Sequence, residues 1–255
     1  MSSVLVTGCS KGIGRAVAAE LARRGHRVIA TARRVDTLAD LDVARRLPLD
    51  VTDEASVRAA VAAAEAAGPL DALVSNAGEL FLAPVETTPL VELRRLLDLN
   101  TVGALRVAQA VLPAMRLRGS GRVLFMSSSA GRVALPLAAA YAATKWALEA
   151  LAESLALEVA RFGVSVTLLE PGAVASGALD APTTYLAPDD PYLPLASAVD
   201  LTGSMISVEE VARATADVVE LDDPPLRVPI GDAARQLLAA RRSADDTRPF
   251  LPVVA

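Results

Sequence analysis

The chain has 255 residues, 53% of them hydrophobic but only 3% aromatic, and a net charge of −5 at pH 7. That length suits one large α/β domain with a core on both faces of a sheet, and the apolar content excludes a disordered chain. The negative balance, with arginine pairs scattered at 33–34, 45–46, 94–95 and 241–242, leaves no broad cationic surface for nucleic acid or an anionic membrane.

Along the chain, short β-branched or Leu-rich runs alternate with Ala-rich amphipathic segments, the pattern of βαβ units around a buried parallel sheet. Strands are expected near Val4–Thr7, Arg27–Thr31, Arg46–Leu49, Ala72–Ser75, Arg122–Ser127, Ser165–Leu169 and Leu226–Pro229. Helices are expected over Ile13–Arg24, Ala55–Ala66, Pro89–Leu97, Val102–Arg118, Ala139–Arg161 and Val208–Glu220, with a short one after Asp232. Gly25, Gly119 and Gly163 fall where helix ends need a residue tolerant of positive φ. Seven strands in this order fit a doubly wound sheet with helices on both faces. No repeat or linker divides residues 1–255, so a single domain is expected. Residues 176–207, rich in Pro, Asp and Thr, are expected to form an irregular substrate-binding loop.

The first strand runs into Thr7-Gly8-Cys9-Ser10-Lys11-Gly12-Ile13-Gly14 and then a helix. Glycines at 8, 12 and 14 let the backbone turn tightly and approach a pyrophosphate, whose charge meets the helix N-terminus. This places a dinucleotide at the first turn of a Rossmann fold, with Gly8, Ser10, Lys11, Gly12, Ile13 and Gly14 as its cradle. At the end of the second strand, an NAD-preferring protein commonly carries an acidic residue for the ribose 2′-hydroxyl. Here Ala32 is followed by Arg33 and Arg34, which suit a 2′-phosphate, and Lys11 adds charge from the other side, so NADP(H) is the expected cofactor.

Tyr141 and Lys145 are four residues apart, one helical turn, so an ammonium can sit beneath the phenol and lower its pKa toward a range useful for proton transfer. Ser128, at the end of the preceding strand, is placed to donate to a substrate oxygen. Taken singly, Tyr-x-x-x-Lys recurs by chance and the serines at 127 to 129 suit an ordinary turn.

The combination resembles the short-chain dehydrogenase/reductase family from Ser3 to about Ile230. Its motifs stand in family order: TGCSKGIG (7–14), LD (49–50), SNAG (75–78), Asn100, SSSAG (127–131), YAATK (141–145) and PGAV (171–174). The resemblance implies that Tyr141 gives a proton to a carbonyl oxygen as hydride arrives from nicotinamide, with Ser128 bonded to that oxygen. It implies that Lys145 assists Tyr141 and holds the nicotinamide ribose, and that Asn100 carries a proton relay through water. The resemblance also prefers Ser128 to its neighbours, because it precedes Tyr141 by 13 residues, the family's usual separation. Asp50 and Val51 are implied beside adenine, Asn76, Ala77 and Gly78 along the cofactor, and Pro171, Gly172, Val174 and Ser176 around the nicotinamide. Ser75, Thr144 and Ser176 depart conservatively from the family pattern.

The segment from Gly121 to Val174 is most similar to the hydroxysteroid and retinol dehydrogenase branch. Leu80, Phe81, Val133, Leu135, Tyr185, Leu186, Tyr192 and Leu193 are the candidate pocket walls, and their apolar character points to a hydrophobic ketone or secondary alcohol. The resemblance also implies a homodimer or homotetramer through the two long helices.

Two rival functions are an epimerase or dehydratase and a catalytically idle NADP(H)-binding regulator. About 25 residues follow the last strand, few for the substrate domain of the first, and intact Asn100, Ser128, Tyr141 and Lys145 oppose the second. A single histidine, His26, and a single cysteine, Cys9, leave no zinc cluster, and Cys9 is expected as a small buried filler. Without a disulfide pair or a secretion-type start, a reducing cytoplasm is the expected compartment. The most apolar stretch, Val133 to Ala143, falls short of the ~20 residues of a membrane span.

Overall fold

A computed structural model describes residues 1–176, 183–187, 189–198, 205–245 and 247–251. In chain order the elements are β1 (Ser3–Val6), α1 (Gly12–Arg23), β2 (Arg27–Ala32), β3 (Arg45–Pro48), α2 (Glu54–Glu65), β4 (Ala72–Ser75) and β5 (Phe81–Leu82). Then come α3 (Leu90–Leu97), α4 (Gly103–Arg118), β6 (Gly121–Met126), α5 (Ala139–Val159), β7 (Val164–Pro171) and β8 (Val174–Ala175). The last are β9 (Thr183–Thr184), α6 (Leu193–Ala198), β10 (Ile206–Ser207), α7 (Val208–Glu220), β11 (Arg227–Ile230) and α8 (Asp232–Arg242).

Seven strands form a parallel sheet in the order β11-β7-β6-β4-β1-β2-β3. The chain runs outward from β1 to β3, then restarts at β4 on the other side of β1. That reversal opens a crevice above the C-terminal ends of β1 and β4, where doubly wound sheets bind ligands. Pro229 sits in the edge strand β11, where a missing ladder donor costs least.

Both faces are apolar because alternate strand residues point to opposite sides. Val4 and Val6 pack with Val17 and Leu21 of α1 and Val211 and Ala216 of α7. Leu5, Leu73 and Phe125 pack instead with Val57 of α2, Val107 and Val111 of α4, and Leu148 of α5. Small alanines on these helices allow close helix-on-sheet contact.

All seven expected strands and all the expected helices are present, with ends displaced by one or two residues. Gly25, Gly119 and Gly163 have φ of 86°, 71° and 68°, as helix ends there require. The expectation of a wholly irregular 176–207 is corrected. Within it β9 pairs with β5, β10 pairs with β8, and α6 forms a short helix. These pairings are two residues long, so no hydrophobic period announces them. Residues 177–182, 188 and 199–204 of that loop lie outside the described residues. Among the described residues no helix is long and apolar enough to cross a membrane.

Candidate active site

The turn after β1 explains its glycines by contact. Gly8 and Gly12 have φ of 75° and 59°, in the left-handed region. A Cβ on Gly14 would lie 2.4 Å from both the Gly8 carbonyl oxygen and Asn76 Nδ2, so only glycine lets α1 begin so close to β4. Thr7 Oγ1 accepts from the backbone N–H groups of Asn76 and Ala77 at 2.9 and 3.1 Å. Asn76 Nδ2 donates to the Thr7 carbonyl oxygen at 3.0 Å. Asn76 thus braces the turn with its side chain.

The first turn of α1 carries no acidic residue, and Lys11 at its N-cap makes no side-chain capping bond. The N–H groups of that 12-residue helix therefore face outward with the positive end of its dipole. This cradle fits a pyrophosphate. Cys9 is buried beneath it, its Sγ donating to the Val6 carbonyl oxygen at 3.3 Å, and burial pushes the thiol up to about 12. That matches the filler expected.

At the end of β2, Ala32 is buried and Arg33 is exposed. Arg34 pairs with Asp36 at 3.5 Å, whereas Arg33 forms no ion pair among the described residues. The sequence alone does not distinguish the two arginines. Burial raises Asp50, but hydrogen bonds from the Thr52 hydroxyl and backbone N–H, with Arg33 and Arg106 nearby, hold it below the ordinary carboxylate range. Val51 is buried beside it.

Tyr141, Thr144 and Lys145 share one face of α5. Between α3 and α4 the helix widens into a π turn over Asp98–Val102, a local feature that often marks function. Asn100 sits in it, 1% exposed. Its Nδ2 donates to the Glu79 carbonyl oxygen at 2.9 Å and to Thr144 Oγ1 at 3.1 Å, and its Oδ1 accepts from Glu79 N–H at 2.9 Å. Thr144 Oγ1 in turn donates to the Tyr141 carbonyl oxygen at 2.7 Å. The side chain of Asn100 is therefore a clamp joining the loop after β4 to α5.

Ser128 lies two residues beyond β6 and accepts from Ala130 N–H at 3.1 Å, and its hydroxyl acts on the Tyr141 phenol to lower its pKa. Lys145, 5% exposed, donates to the Met126 carbonyl oxygen at 2.7 Å, with its Nζ 5.8 Å from the Tyr141 ring centroid. The expected lowering of the Tyr141 pKa by Lys145 is corrected. Burial raises it, and the Ser128 hydrogen bond acts downward. The ammonium points at a carbonyl of β6, and burial lowers Lys145 itself to about 8 while the charge of Glu149 acts upward.

Two expected pocket walls are also corrected. Phe81 is fully buried, packed with Ala83, Leu96 and Ala140 and 5.4 Å from the Tyr185 ring centroid. Val133 is 1% exposed, and both belong to the core rather than to a wall. Leu80, Leu135, Leu186 and Leu193 are half-buried, Tyr185 is exposed, and Tyr192 donates its hydroxyl to Glu86 at 2.6 Å. Leu137, φ 62°, gives its carbonyl to Ala83 N–H at 2.7 Å, a strained residue fastening the start of α5 to this side.

Sequence reasoning missed a charged cluster behind the site, buried Glu149 and Glu170 with half-buried Arg132 and Arg227. A glutamate four residues beyond Lys145, and another inside the apolar run of β7, were the available signals.

A doubly wound sheet with a glycine-rich helix start, and with buried Ser128 and Lys145 beside half-buried Tyr141 near the strand ends, defines a dinucleotide-dependent oxidoreductase class. The chain belongs to the short chain dehydrogenase family, whose profile matches residues 2–184. It is 43% identical over 185 residues to 17-beta-hydroxysteroid dehydrogenase type 1 of Mus musculus, covering 67% of this chain and 54% of that one. It is 32% identical over 251 residues to retinol dehydrogenase 8 of Homo sapiens, covering 88% of this chain and 80% of that one. The match thus spans about half of the steroid enzyme's length. A short-chain dehydrogenase from Streptomyces avermitilis superposes with TM-score 0.85 at 37% identity, covering 93% and 90% of the two chains. An alcohol dehydrogenase from Thermococcus sibiricus, complexed with 5-hydroxy-NADP, gives TM-score 0.76 at 25% identity, covering 92% and 97%.

Proposed function

We propose that the chain is an NADP(H)-dependent oxidoreductase that interconverts a ketone and a secondary alcohol on a hydrophobic substrate, residues 1–255 acting as one catalytic domain. The observation that carries this reading is the gathering of Ser128 and buried Lys145 about Tyr141, beyond the C-terminal end of β6, in the same sheet whose β1 leads into the glycine turn. Gly8 to Gly14, Arg33, Asp50, Val51, Asn76 to Gly78, and Pro171 to Ser176 would hold the dinucleotide. When bound, it supplies the hydride.

Tyr141 donates its proton to the carbonyl oxygen. The raised pKa keeps the phenol protonated, which suits the reductive direction. Ser128 holds the same oxygen, and Lys145 would hold the cofactor ribose and assist proton return to Tyr141. Since the Asn100 amide is engaged with Glu79 and Thr144, its part in a relay falls to the backbone carbonyl of the π turn.

NADP(H) is favoured by the exposed Arg33, which has no ion-pair partner among the described residues, and by the NADP analogue in the Thermococcus sibiricus relative. An apolar substrate is favoured by half-buried leucines around the site and by the steroid and retinol relatives. Exposed Val102 and Leu117 near the ends of α4 and Trp146, Leu151 and Leu157 on α5 favour a homodimer or homotetramer.

Tyr141→Phe tests the core of the reading with a panel of apolar ketones and alcohols followed by nicotinamide absorbance. The expected result is a fall in kcat of about 100-fold or more with cofactor binding retained. Undiminished turnover would remove Tyr141 as the acid.

A further inference from the structure

Glu149 lies one turn beyond Lys145 on α5 and is 5% exposed. Ser127 Oγ donates to its Oε1 at 2.5 Å, and Arg227 Nε of β11 donates to its Oε2 at 3.0 Å. Arg227 also gives an N–H to Glu153 at 2.6 Å, so its charge is divided between two carboxylates. Glu170, at the end of β7, is fully buried, and neither of its oxygens has a hydrogen-bond partner among the described residues. Arg132 and Arg227 come only within 3.8 Å of its Oε1.

Lys145, meanwhile, is buried against a neutral carbonyl oxygen. An ammonium in that setting loses hydration without gaining a direct carboxylate, and burial works against its charge. A fixed negative charge on the same helix opposes that loss.

We propose that Glu149 is a positioning residue that keeps Lys145 in its ammonium form, its carboxylate held in place behind the lysine by Ser127 and Arg227. This rests on the reading of Lys145 as the cation that assists Tyr141.

The electrostatics agree with the geometry. Burial brings Lys145 to about 8, and Glu149 is the charge acting against it. Burial, then the Glu149 charge, raise Glu170 to about 7, against Arg132, Arg227 and Arg242. The charged and titratable groups facing the cluster are therefore Tyr141, Lys145 and Glu153 on α5, Arg132 after β6, Arg227 on β11 and Arg242 on α8.

The chain has two lysines, Lys11 and Lys145, and Lys11 is exposed, so lysine-selective isotope labelling isolates the Lys145 resonance for an NMR pH titration. In Glu149→Gln the Lys145 midpoint is expected to fall by about one pH unit, and the alkaline limb of kcat/KM to fall with it. Glu149→Asp restores most of the shift. Glu170→Gln, an equally buried change, moves the midpoint by much less than Glu149→Gln does, since Glu149 is the carboxylate acting on Lys145. A Glu149→Gln midpoint within a few tenths of the parent, or an equal fall in Glu170→Gln, overturns the proposal. If Glu149→Gln does not fold, the unmodified protein decides: a Lys145 already neutral at pH 7 rejects it. The titration needs no substrate, so a moved lysine without any ketone turnover sinks the functional reading and leaves this link standing.

Discussion

Arg33 leaves β2 with an exposed guanidinium, and its neighbour Ala32 offers no carboxylate to repel a phosphate. A charge-assisted bond to an anion contributes about 1.5–3 kcal/mol. Arg33→Ala is therefore expected to raise KM for NADPH by about 10- to 100-fold and to change KM for NADH less than about twofold. Parallel loss with both cofactors would assign the arginine to the fold instead. Arg34 differs because Asp36 already engages it. Two adjacent arginines look alike in a sequence, and only the partner across the loop separates them. The same holds for Lys145, whose helical spacing from Tyr141 is visible while its hydrogen bond to Met126 is not.

At the scale of elements, the π turn and α5 are joined through Thr144, which bonds both Asn100 and the Tyr141 carbonyl. Thr144→Val keeps the shape and removes the hydroxyl, leaving a buried amide N–H unpaired. It is expected to cost ~1–3 kcal/mol in denaturant unfolding, with Thr144→Ser near the parent. Equal stability of the valine variant would show that the clamp is dispensable. Strand and helix positions were legible because alternation and helical periodicity repeat over many residues. The pairings β5–β9 and β8–β10 were not, since two residues carry no period and depend on where distant segments meet.

Across the whole molecule, Glu170 couples stability to pH. Its carboxyl titrates at about 7 in the folded chain against 4.5 ordinarily, chiefly because it is buried. Between those values the folded state binds more protons than the unfolded state, so stability falls as pH rises and the loss is complete near pH 8. The expected contribution is roughly 2–4 kcal/mol. Glu170→Gln should flatten that slope in chemical-denaturation curves from about pH 5 to 8. An unchanged slope would assign the pH dependence to other groups.

The sequence by itself determined the doubly wound sheet and the glycine turn, because each is written in local spacing or hydrophobic period, while Ser128, Tyr141 and Lys145 were singled out by the order of motifs shared with the family rather than by spacing alone. Tertiary structure alone decided which way Tyr141 shifts, that Phe81 and Val133 are core, and that Glu149, Glu170, Arg132 and Arg227 meet behind the site. Desolvation and charge pairing depend on residues brought together from separate strands and helices, and no one-dimensional pattern records that approach.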